Sequence, residues 1–168
     1  LPDKSGFEAD LFGVLDDLSA YLADLTLVGG WVPYLYARFL WRNSGATPVF
    51  TSDVDLGLAP EQARMHKKTI FETLSSLKYA ERHLELGKLY PVVFYRKNKT
   101  RLDFIAPAGA GDYAANRLLG REISLNRLED FAFLIDNAIE IPEPGDLPPG
   151  LPERAGERLY DLRGHDPR

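Results

Sequence analysis

Apolar residues recur at spacings of three and four over residues 6–24, at Phe7, Leu11, Val14, Leu15, Leu18, Tyr21 and Leu22. That period puts them on one stripe of an amphipathic helix. Asp10, Asp16, Asp17 and Asp24 fill the other positions and read as its solvated face. The period then changes. Leu25 to Val28 is a short apolar run that stops at Gly29-Gly30, the pattern of a buried strand. A second helical pattern starts at Trp31 and runs to about Arg42, with Pro33 in the first turn, where proline is tolerated. Trp31, Leu35 and Phe39 share a face, and Trp31 reads as packing on a sheet rather than stacking on a base.

Residues 43–50 carry Gly and Pro punctuation and read as a loop. Thr51–Leu58 alternates and predicts a strand with Val54, Leu56 and Leu58 toward the core. Pro60 opens a helix whose apolar positions are Ala63, Ile70, Phe71, Leu74 and Leu77, reaching about Tyr79, with Lys67 and Lys68 on its solvated face. Over 84–106, Leu84 and Leu86, then Val92 and Phe94, then Leu102 and Phe104 mark strands. The polar stretch 96–101 is a hairpin turn, and Arg101, Asp103 and Ile105 share one face of the outgoing strand. Pro107–Gly111 is a loop, Asp112–Leu119 a short helix, and Leu125–Ile139 reads as mainly helical. Ile141–Gly156 holds five prolines and three glycines and forms no regular element. Glu157–Arg168 is a short turn of helix or a frayed tail. Strands and helices interleave, so the expected class is α/β (α+β): one domain over 1–140 and a Pro/Gly-rich extension over 141–168.

Composition narrows the function. With 168 residues the chain suits one domain with a real core. No apolar run approaches the roughly 18–20 residues of a membrane span. The absence of cysteine rules out disulfides and thiolate metal sites. The chain begins at Leu1, and what is present carries no signal-peptide pattern, so the expected compartment is the cytoplasm. His66, His83 and His165 lack the spacing of a zinc site, and the first two read as exposed. The net charge is −5, whereas proteins that grip long nucleic acid are usually basic. A metal-dependent enzyme acting on a nucleotide has no such need.

The chemistry concentrates in residues 27–58. On a strand, Asp53 and Asp55 face the same side, and two like charges held close repel. A cation between them relieves this. Hard divalent cations such as Mg²⁺ take carboxylate oxygens and share their shell with phosphates. Gly29-Gly30 lets backbone approach a ligand, and the helix start beyond it attracts phosphate.

Gly-Gly, a helix, Thr-x-Asp-x-Asp and a later strand Asp, in that order, resemble the nucleotidyltransferases of the DNA polymerase β superfamily. Leu-Val-Gly-Gly-Trp at 27–31 and Thr-Ser-Asp-Val-Asp-Leu at 51–56 look most like its small bacterial members. Those include aminoglycoside nucleotidyltransferases and the nucleotidyltransferase toxins of abortive-infection systems. The resemblance covers roughly 7–106. It implies a mixed twisted sheet flanked by helices. It implies that Gly29 and Gly30, with Thr51 and Ser52, bind the triphosphate, and that Asp53, Asp55 and Asp103 hold Mg²⁺ or Mn²⁺, with Asp103 activating an acceptor hydroxyl. Two such metals clamp the attacking and leaving oxygens of an in-line displacement.

The sequence departs from the pattern in three places. Gly30 stands where many relatives have serine, Gly30 and Asp53 are farther apart than in the tight form of the motif, and no lysine follows Lys99. Arg158-Leu-Tyr-Asp161-Leu only echoes the Lys-Asp-x-x-Asp pattern of the toxin-like relatives. The basic hairpin 96–101 reads as a solvated turn in preference to a triphosphate or RNA contact. The expected activity is metal-dependent transfer of a nucleotidyl group from a nucleoside triphosphate to an acceptor that is a small molecule, an RNA end or a protein. The alternatives are an inactive module that binds nucleotide or a protein partner, and an unrelated phosphohydrolase.

Overall fold

A computed structural model describes residues 4–36, 51–84, 92–97 and 99–138. The far end of the helix after Gly-Gly, the 43–50 loop, Leu86, Asn98 and the proline-rich extension lie outside the described residues.

Alternation organises the sheet. Strand β5 (Thr100–Pro107) buries every second residue, Leu102, Phe104 and Ala106 among them, and turns Arg101, Asp103 and Ile105 to the other face. Strand β2 (Val54–Leu58) does the same with Val54, Leu56 and Leu58. The two pair in parallel, with Leu56 opposite Phe104 and Asp55 opposite Asp103. Strand β1 (Leu25–Val28) runs antiparallel to β2 on its far side. On the other side β4 (Val92–Arg96) and then β3 (Ala80–His83) continue the sheet antiparallel. Strand β6 (Leu125–Leu128) pairs in parallel with the outer half of β5. The result is a mixed six-stranded sheet in the order β1-β2-β5-β4-β3, with β6 also on β5.

Helices cover the apolar face. Helix α1 (Lys4–Asp17) supplies Leu11, Val14 and Leu15, α3 (Ile70–Ser76) supplies Ile70 and Leu74, and α4 (Asp112–Leu119) supplies Leu118 and Leu119. Each such side chain contributes about 1.5–3 kcal/mol when fully buried. Trp31, at the start of α2 (Trp31–Leu35), is 1% exposed and meets the Tyr34 ring edge-on at 5.7 Å. It packs in the core, as its pattern predicts. Among the described residues, no helix is long and apolar enough to cross a membrane.

Four expectations need correction, each because a distant contact outweighs the local pattern. The helix over 6–24 ends at Asp17, and the chain tightens into a 3₁₀ turn, Ser19–Asp24, that carries Tyr21 and Leu22 inward. The helix from Pro60 is only a 3₁₀ turn, Pro60–Gln62. Residues 63–69 stay out of a helix because other groups claim them. Asp24 accepts from the Arg64 N–H at 2.9 Å and sits 2.6 Å from His66 Nε2, while Tyr21 Oη lies 2.9 Å from the Lys68 carbonyl. The helix begins at Thr69, where Thr69 and Glu72 form a reciprocal capping box. Lys67 and Lys68 thus lie ahead of it, exposed as expected. Leu84, expected in a strand, follows β3 instead, because the ladder of β3 with β4 ends at His83 opposite Val92. The mainly helical 125–139 is instead β6 followed by α5 (Phe131–Asp136), since the free side of β5 offers Leu125–Leu128 a ladder of backbone partners.

The solvated acidic face is also only partly so. Arg96 donates from Nη1 to Asp10 at 3.1 Å and from Nε to Asp17 at 3.2 Å, and Tyr79 donates to Asp17 at 2.7 Å. Burial first, and then the Asp17 hydrogen bond and charge, push the Tyr79 phenol far up from its ordinary value. Arg96 therefore ties α1 to β4 and is no part of a solvated turn. Asp24 is 4% exposed and His66 14%, so His66 is not on an exposed face, whereas His83 is.

Candidate active site

The open face of the sheet carries the charged positions. Asp55 on β2 stands opposite Asp103 on β5, and opposite Val28 on β1. Parallel register thus brings together two carboxylates from distant parts of the sequence. Asp53 sits in the bend just before β2, so the strand expected from Thr51 begins at Val54. Ser52 Oγ donates to Asp53 Oδ1 at 3.3 Å, and Thr51 Oγ1 to the Asp53 carbonyl at 3.2 Å. These local bonds orient a carboxylate that no strand ladder holds.

The glycine pair closes the other side. After Val28 the chain turns at Gly29, whose φ of 72° lies in the left-handed region that favours glycine. A Cβ on Gly29 would run into the Asp55 carboxylate, and one on Gly30 would come within 2.7 Å of the Thr51 side chain. The seven residues Gly29, Gly30, Thr51, Ser52, Asp53, Asp55 and Asp103 therefore lie in one neighbourhood at one end of the sheet.

The electrostatics of that neighbourhood are unfavourable on their own. Burial raises the Asp55 carboxyl above its ordinary value of 3.8, and the charges of Asp103 and Asp53 raise it further against the pull of Arg101. Burial likewise raises Asp103, with Arg101 opposing and Asp53 adding. Arg101 Nη2 lies 2.8 Å from Asp103 Oδ1. Among the described residues, no group of three or more His, Asp or Glu side chains is arranged to hold a metal ion by itself. The donor set is instead an open cluster of repelling carboxylate oxygens. It suits a hard divalent cation that brings further oxygens, such as those of a phosphate, in its own shell.

One feature of the face escaped the sequence reading. Gly57, on the same side of β2 as Asp55, lies under the Phe131 ring: a Cβ there would approach it to 2.7 Å. Phe131 is buried, so α5 bounds the carboxylate face on that side. A glycine inside an apolar strand is the available signal for such a close approach.

No curated protein and no solved structure matches the chain. A family model described as nucleotidyltransferase matches residues 8–142, which span every element from the core of α1 to the end of α5. With most of its length matched, the chain belongs to the nucleotidyltransferase family.

Proposed function

We propose that this nucleotidyltransferase is metal-dependent and moves a nucleotidyl group from a nucleoside triphosphate to an acceptor hydroxyl. The observation that carries the reading is the register that sets Asp55 opposite Asp103, with Asp53 and the glycine turn beside them. Asp53, Asp55 and Asp103 would hold Mg²⁺ or Mn²⁺. The bound cation supplies a Lewis acid that offsets charge on the phosphoryl oxygens. Gly29 and Gly30 leave room for phosphate to approach backbone, and Thr51 and Ser52 border the same space. Asp103 accepts the proton of the attacking hydroxyl, for which its raised proton affinity suits it. Positioning supplies most of the remaining rate, as is general for phosphoryl transfer. The wording of the two motifs supports a place among the small bacterial transferases.

Calorimetric titration with each of the four ribonucleoside triphosphates in Mg²⁺ tests the reading, on wild type and on Asp53→Ala/Asp55→Ala. Metal-dependent binding that disappears in the double variant supports it and names the base. A folded wild-type protein that binds none of the four overturns it.

A further inference from the structure

An ion pair lies inside the carboxylate site. Arg101 and Asp103 are two residues apart on β5, so both project from the open face. Among the described residues the guanidinium is engaged through one prong: Nη2 reaches Asp103 Oδ1 at 2.8 Å, while Nε is buried without a hydrogen-bond partner there. The arginine side chain is 39% exposed and the aspartate 13%. The carboxylate is thus the fixed member and the arginine the one with room to leave.

We propose that Arg101 is a resident counter-ion, holding in the free protein the place at Asp103 that a divalent cation takes when nucleotide binds. The proposal rests on the metal-binding reading above. A carboxylate oxygen already committed to a guanidinium offers less charge to a second cation, and two cations at one carboxylate repel. Metal alone therefore competes with Arg101. A triphosphate changes the balance, because its oxygens are acceptors that match the planar fork of arginine. Nucleotide draws Arg101 away from Asp103, and metal fills the vacated oxygen. Linkage makes this reciprocal: each ligand tightens the other by the same factor. Metal and nucleotide then load together, and free metal does not occupy the site in advance.

Mn²⁺ is the probe, followed by electron paramagnetic resonance on the free protein and with a nucleoside triphosphate analogue that cannot be cleaved. Wild type is expected to bind Mn²⁺ more tightly with the analogue present. Arg101→Gln is expected to bind Mn²⁺ at least about fivefold more tightly without it, and to lose most of the coupling. Lys99→Gln removes a positive charge from the exposed turn beside β5 without touching Asp103, and it sets the shift due to net charge alone. An Arg101→Gln shift no larger than that of Lys99→Gln, with coupling intact, overturns the proposal. A third variant, Asp53→Asn/Asp55→Asn, separates the two readings. If Mn²⁺ binding with analogue does not depend on that pair, the metal-binding reading fails. If it does depend on them while Arg101→Gln matches Lys99→Gln, only the counter-ion role fails. Thermal unfolding of each variant confirms that it is folded.

Discussion

At the scale of the residue, the site is a place where the fold works against itself. Asp55 and Asp103 both bind a proton more readily in the folded than in the unfolded chain, through burial and shared negative charge. The folded state therefore holds more protons between the ordinary value of 3.8 and the higher folded values. Stability of the metal-free protein falls as pH rises through that window. Asp55→Asn removes one of the repelling charges at constant shape. It is expected to stabilise the metal-free protein at neutral pH by about 1 kcal/mol or less, and to flatten the fall across weak acid. Urea unfolding at several pH values measures both, and a destabilised Asn variant would show that the repulsion is already offset. Gly29→Ala tests the turn. Its φ of 72° and the nearby Asp55 carboxylate make any side chain strained. The expected cost is about 1–3 kcal/mol. A variant with an unchanged urea midpoint would mean that the turn relaxes freely.

At the scale of the element, helix α3 shows how a start signal overrides a pattern. The apolar spacing from Ala63 to Leu74 is compatible with one long helix, but Thr69 and Glu72 cap each other and set the beginning there. The Thr69 backbone N–H reaches the Glu72 carboxylate at 2.7 Å, which lowers its proton affinity. Thr69→Ala is expected to cost about 1 kcal/mol of stability, read as a lower thermal midpoint with the native fold intact by circular dichroism. Elements fixed by their own residues were legible in the sequence. The β1 run ends at its glycines, and α4 lies between Gly111 and Gly120. Elements fixed by a partner were not. Leu125–Leu128 is mostly exposed and lacks strand alternation, and only the free side of β5 makes it a strand. Residues 63–69 are likewise set by Tyr21 and Asp24, forty or more positions away.

At the scale of the whole molecule, β5 is the axis. It pairs with β2 along one side and with β4 and β6 along the other. Its amides are expected to exchange with solvent most slowly, Leu102 and Phe104 above all, and those of the edge strand β3 faster by orders of magnitude. Hydrogen-exchange mass spectrometry resolves the difference, and equal rates would mean that the sheet opens as a single unit. The sequence suggested that Asp53 and Asp55 act together because they are neighbours in the chain. It left the partner of Asp103 open, because register between strands so far apart is a property of the assembled sheet.

That seam has a consequence for synthesis. The glycine turn, Asp53 and Asp55 leave the ribosome well before Asp103 does. A nascent chain that has folded only as far as β2 carries every residue of the candidate site but Asp103. Under the proposed function, metal and nucleotide would meet only an incomplete carboxylate set on that early fold. Their full stabilisation would arrive only after β5 has threaded between β2 and β4. Ligand would act as a late lock on a finished sheet, and cellular nucleotide supply would govern how long the mature protein survives more than how readily it first folds.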